Sequence, residues 1–326
     1  MAVQSKTRCA VQASGIIARG STRWASCSRF VCSGQPGGGF TIVLFYIASL
    51  AFAACSTVPV VRLSAFMGLS CRLLLWLLIV WKGFGSWNNV FDPFIIRTTL
   101  SRIRPVSGGV VRIPQEYFVS GLHMVLGALL LSRLPTPSRI YARILSTVLF
   151  AWPLAKKVPY NREIVTGFGF CMAFLQCCAT LGVIRFGQGD VRTMGAAFSM
   201  AAMYLIAVAI ANVVYACQDR RNDLKVGASS LAIQMGSHVK TWLWVFSIAM
   251  EGLLINAGIQ CRFSPFFFII SCGWTLLALV AMLLNIDLRV KQSCNWWLRA
   301  GTMSILASIA AGMLVEYGLK LKKSKQ

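Results

Sequence analysis

Nine long apolar runs recur along this chain, and together they leave it few ways to fold. They lie near residues 40 to 61, 63 to 84, 117 to 132, 140 to 155, 164 to 184, 193 to 215, 241 to 260, 264 to 286 and 296 to 317. The first is uncharged over about 22 residues, which at ~1.5 Å per residue is enough to cross a hydrocarbon core of roughly 30 Å. Arg72 and Arg143 interrupt two of the others. Inside lipid the backbone has no water to bond, so only helices and closed barrels span it, and the strict alternation of a barrel strand is absent. The runs therefore predict an all-α, polytopic membrane helix bundle of about nine transmembrane helices.

Composition excludes the soluble alternatives. Hydrophobic residues make up 57%, charged residues 13%, and mean hydropathy is +0.68, more apolar surface than a water-soluble core hides. The formal charge of +23, from 32 bases against nine acids, would suggest nucleic acid in a soluble protein. Here the bases sit mostly in short loops between apolar runs. That pattern excludes nucleic acid as a partner and reads as positive-inside topology over anionic lipid, a reading compatible with an anionic substrate. The twelve cysteines include no CxxC pair and no zinc-like spacing; those inside apolar runs read as small buried hydrophobes.

Residues 1–39 are basic and acid-free, with Lys6, Arg8, Arg19, Arg23 and Arg29. They read as a disordered or targeting tail ahead of a membrane domain over 40–319, which a short basic tail over 320–326 follows. Nine crossings put the tail and the loops after helices two, four, six and eight on one side, and the short loops there hold most of the Lys and Arg. That side is expected to be cytoplasmic, in an ER-type endomembrane, or the matrix in a mitochondrial inner membrane.

Most of the acids gather on the same side: Asp92, Glu116, Glu163, Asp219, Asp223 and Asp287. Acids hold a hard divalent cation and bases hold anionic oxygens, so a face with both suits a metal-bound polyanion. Asn88, Asn89 and Asp92 form a first oxygen-rich cluster at i, i+1 and i+4. The same segment also reads as a helix end capped by Asn and stopped by Pro93. Asp219 and Asp223, four residues apart, project from one helix face and can share one cation, or they can be a solvated face neutralised by Arg220 and Arg221. Elsewhere, Glu251 is an acid inside the seventh run, and His123 reads as an interhelical hydrogen-bond partner.

The neighbours of the second cluster carry a resemblance. Tyr215, Gln218, Asp219, Asp223, Gly227, Ser230, Ala232 and Gly236 match, in order and spacing, the second aspartate-rich motif of the UbiA superfamily of intramembrane prenyltransferases. Arg104, Pro105 and Gly108 are similar to the element that follows the family's first motif. The stretch Ala151 to Phe170, with Lys156, Lys157 and Tyr160, resembles the family's segment ahead of helix five. DLRVKQSCNWW and Gly312 to Tyr317 look like the 4-hydroxybenzoate-polyprenyltransferase-like enzymes of fungal meroterpenoid pathways. Where the family reads NDxxDxxxD, this chain has Asn88, Asn89, Asp92 and Ile96: one acid has become an amide and another a hydrocarbon.

The resemblance implies Mg2+ held by Asn88, Asn89, Asp92, Asp219 and Asp223, with Asp92, Asp219 and Asp223 essential to catalysis. It implies Arg104, Lys156 and Lys157 on a prenyl diphosphate, and Tyr160, Tyr215 and Gln218 orienting the substrates. Diphosphate departure would leave an allylic cation for an electron-rich aromatic acceptor, the expected chain being farnesyl-type and the acceptor phenolic or polyketide-derived. Two alternatives stay open: a UbiA-type terpene cyclase acting on farnesyl diphosphate, and a catalytically impaired paralogue.

Overall fold

The computed structural model describes residues 38–57, 59–95, 112–155, 162–184, 190–226 and 230–324, and every regular element among them is helical. Residues 1–37 of the expected tail lie outside the described residues. Nine long helices coincide one for one with the nine apolar runs: α1 Gly38–Ser56, α2 Leu63–Ile95, α3 Ile113–Leu131, α4 Thr136–Ala155, α5 Arg162–Thr180, α6 Val191–Val226, α7 Val239–Gln260, α8 Pro265–Asn285 and α9 Lys291–Lys323.

Among the described residues, α2 and α5 to α9 are each long and apolar enough to cross a membrane, six helices beside the nine crossings expected. The described stretch of α1, Thr41–Ser56, is apolar but shorter than those six. The remaining two carry more polar residues. The helix α3 opens on Gln115 and Glu116 and carries His123, while α4 holds Arg139 and Arg143 one turn apart and Pro153 near its end. Arg72 interrupts α2 in sequence but not in structure, because its side chain lies on the exposed side of that helix.

A helix that is apolar all round has to be enclosed, and α1 is: Phe45, Tyr46, Ala48 and Ser49 to Cys55 are buried. Phe45 stands edge-on to Phe170 of α5 and Tyr204 of α6, with ring centroids 5.0 and 4.5 Å away. Phe52 meets Phe174 at 5.3 Å. Around α1, contacts join α2 to α3 and α4, α4 to α5, α5 to α6, α6 to α7 and α9, and α8 to α9. Small residues permit the close approaches that membrane helices need. Gly167 leaves room for Leu205, and a side chain at Gly312 would run into Ser271, in the π-helical turn Phe268–Gly273 of α8.

Hydrogen bonds fix the directions. Ser120 of α3 donates to the Gly83 carbonyl of α2 at 3.0 Å, and Thr180 of α5 to Ser138 of α4 at 2.8 Å. Asn256 of α7 donates to Ser199 of α6 at 2.8 Å, and Ser271 of α8 to the Ser308 carbonyl of α9 at 3.3 Å. Second contacts between the same helices, Asn89 with Glu116, Gly169 with Leu145, Gly195 with Gln260 and Gly301 with Met282, run in the opposite order along the two partners, so these neighbours are antiparallel. The C-terminal ends of α2, α4, α6 and α8 therefore share one end of the bundle with the N-terminal ends of α3, α5, α7 and α9.

The opposite end is closed by the last turns of α9. Glu316 accepts from the Ser264 backbone N–H at 2.9 Å and its hydroxyl at 2.6 Å. Tyr317 donates to the Val61 carbonyl at 2.8 Å. The Lys320 ammonium reaches the carbonyls of Cys55 and Cys261, at 3.2 and 3.3 Å, and lies 4.6 Å from the centre of the Phe263 ring. A cation is the natural partner for carbonyls that a helix end leaves unbonded.

Candidate active site

The helices that carry the two oxygen-rich clusters are longer than a bilayer requires. With 33 and 36 residues, α2 and α6 extend about 50 and 54 Å. Asp92 is the first charge in α2 after Lys82, and Asp219 the first in α6 after Arg192. Both aspartates lie toward the C-terminal end of a long helix, at the same end of the bundle.

On α6, Tyr215 and Gln218 are half-buried, and the Gln218 Nε2 has no hydrogen-bond partner. Asp219 and Asp223 lie four residues apart on the helix, hence on one face; their side chains fall outside the description, as does that of Asp92 on α2. The remaining motif positions have structural work. Ser230 caps the short helix Leu231–Gln234, its Oγ accepting from the Ile233 N–H at 3.4 Å. Ala232 is wholly buried. Gly236 adopts φ +56°, a conformation in which a Cβ is unfavourable.

On α2, aromatic packing fixes the end of the helix. Trp87 donates to the Phe150 carbonyl at 3.1 Å, and its ring lies tilted against Phe91 at 4.8 Å and edge-on to Phe150 at 5.2 Å and Tyr117 at 6.1 Å. The next residues are Asn88, half-buried, and Asn89, buried. The Asn89 Nδ2 donates to the Glu116 Oε1 of α3 at 3.4 Å. Glu116 is only 3% exposed, and its second oxygen has no partner. Arg104, Lys156, Lys157 and Tyr160 lie outside the described residues, and among the described ones no three Asp, Glu, His or Cys cluster closely enough to hold a metal.

An apolar cavity of about 190 Å³ lies within the bundle, between α1, α5, α6, α7, α8 and α9. Phe45, Phe170, Val214, Met250 and Met282 are among its walls, and Asn212, two turns from Asp219 along α6, gives it a polar point.

One further expectation changes. His123 bonds within its own helix, its Nδ1 donating to the Val119 carbonyl at 2.7 Å, because a carbonyl four residues back is always in reach. Glu251 is buried in α7 with one oxygen unpartnered, away from the polar end. The residue that sequence reasoning passed over is Glu116. It was counted among the acids of the polar side, but nothing in linear spacing ties it to Asn89, which is 27 positions earlier.

No family model matches the chain. It is 26% identical over 235 residues to the prenyltransferase stbC of Stachybotrys bisbyi, which covers 71% of this chain and 69% of that protein. It is 23% identical over 310 residues to the prenyltransferase ascA of Acremonium egyptiacum, covering 94% and 89%. Among solved structures, a UbiA homologue of Aeropyrum pernix K1 superposes with a TM-score of 0.65 at 16% identity, covering 84% of this chain and 97% of the other. A UbiA homologue of Archaeoglobus fulgidus bound to DMAPP and Mg2+ does so with a TM-score of 0.63 at 12% identity, covering 88% and 97%.

Proposed function

We propose, from the premise that this chain is a member of the UbiA superfamily, that it is a membrane-bound, Mg2+-dependent aromatic prenyltransferase of meroterpenoid biosynthesis. Its donor in this reading is a prenyl diphosphate of farnesyl type and its acceptor a phenolic or polyketide-derived ring. The observation that carries the reading is that α2 and α6, the helices that hold Asp92 and Asp219, end at the same end of the bundle.

The donor set fits magnesium. Asn88, Asn89, Asp92, Asp219 and Asp223 offer only oxygen ligands, from carboxylates and amide carbonyls, the preference of a hard cation, and the unpartnered buried oxygen of Glu116 beside Asn89 marks a place where positive charge is wanted. When bound, the ion supplies neutralisation of charge building on the departing diphosphate. Arg104, Lys156 and Lys157 hold the remaining phosphate oxygens. Tyr160, Tyr215 and Gln218 orient the diphosphate and the acceptor. The apolar cavity takes hydrocarbon and excludes water, which keeps the allylic cation for the acceptor ring. The membrane domain over 40–319 is the catalytic unit, and an ER-type endomembrane is its location.

The test is product analysis on membranes from a heterologous host, supplied with Mg2+, farnesyl diphosphate and a panel of phenolic acids. A prenylated phenol, abolished by EDTA, is expected. A terpene hydrocarbon formed without any acceptor would replace transfer with cyclisation.

A further inference from the structure

Resting on that metal-dependent reading, we propose that Glu116 is a cation ligand of the first cluster, supplying from α3 the carboxylate that Asn89 lacks on α2. The argument begins with the hydrogen bond between them. A carboxylate can only accept, so the amide of Asn89 turns its Nδ2 toward Glu116. This leaves the Asn89 Oδ1, the only metal-ligating atom of the amide, to face elsewhere.

The second step concerns the other oxygen of Glu116. Glu116 is 97% buried by its 3% exposure, and its Oε2 has no partner. Among the described residues no ion pair joins Glu116 to a lysine or arginine. A charge in such a place requires a cation or a proton.

Two ordinary roles for an acid in the first turn of a helix are already filled or insufficient. Gln115 satisfies the exposed N–H of Arg112 at 3.1 Å. Bonding Asn89 needs one acceptor, which a neutral glutamine would offer as well. What glutamate adds is the negative charge, placed against the residue where the first motif has lost one. Trp87 pins the end of α2, and Ser120 bonds the Gly83 carbonyl, so α2 and α3 are held in the register that this pairing needs.

The test uses Mn2+ as a spectroscopic stand-in for Mg2+, titrated against the purified full-length protein in nanodiscs, with free Mn2+ read by electron paramagnetic resonance. Glu116→Gln is expected to weaken binding by at least about tenfold, with an unchanged melting temperature in EDTA. The swapped pair Asn89→Asp with Glu116→Gln restores one charge and keeps an amide-to-carboxylate hydrogen bond, so it is expected to recover most of the affinity. Wild-type affinity in Glu116→Gln would overturn the proposal, as would a loss that the swap fails to restore. If the wild-type protein itself binds no Mn2+, the metal-dependent function falls, and this ligand assignment falls with it.

Discussion

The two ends of this bundle are built from similar helices and treat buried charge in opposite ways. At the far end, Glu316 receives two hydrogen bonds from Ser264, Lys320 reaches two carbonyls and an aromatic face, and Tyr317 ties α9 to Val61. At the polar end, Glu116 keeps an oxygen without a partner and Gln218 an N–H without one. Satisfied polar groups lock a structure, whereas unsatisfied ones hold open a demand that only a ligand can meet. In the proposed reading, the difference separates the part of the chain that holds the helices together from the part that meets the substrate.

Substitutions sharpen that contrast, and the largest effect is expected where charge meets substrate. Asp219→Ala and Asp223→Ala should each lower product formation by at least about a hundredfold and leave thermal unfolding in EDTA unchanged; product analysis beside a melting curve checks both. Next comes the far end. Glu316→Ala leaves the Ser264 donors and the Lys320 ammonium short of their acceptor and should cost about 2 to 3 kcal/mol of stability, with turnover per folded molecule preserved. A drop in turnover at unchanged stability would break the division between the ends.

Smaller effects probe the scaffold of the second motif. Gly236→Ala places a Cβ at φ +56° and should cost about 1 to 2 kcal/mol. Ser230→Ala removes a helix cap worth about 1 kcal/mol. If both variants retain the metal affinity of the wild type, these motif positions shape the loop and do not touch the ion. The smallest effect is at Asp190, where the backbone N–H and then the hydroxyl of Thr193 hold the carboxyl below its ordinary range. A lowered value stabilises the fold above the unfolded pKa, and the contribution fades as pH falls through the lowered one. Asp190→Asn should flatten that acid limb in melting curves.

The Asp219 to Gly236 segment was largely legible because its residues are local: one helix face brings the acids together, and a cap and a left-handed glycine follow within 17 residues. Gly312 to Tyr317 was legible only as a resemblance. What Glu316 and Tyr317 do depends on Ser264 and Val61, which reach them from two distant parts of the chain.

The sequence by itself determined the class of fold. Apolar length and the need of a backbone in lipid to bond itself allow little besides a helical bundle. Tertiary structure alone decided which helix is enclosed and that a carboxylate from α3 lies against Asn89. Helical periodicity specifies which residues share a face. It says nothing of which face of which other helix comes to meet them, because that choice rests on packing between residues far apart in the chain.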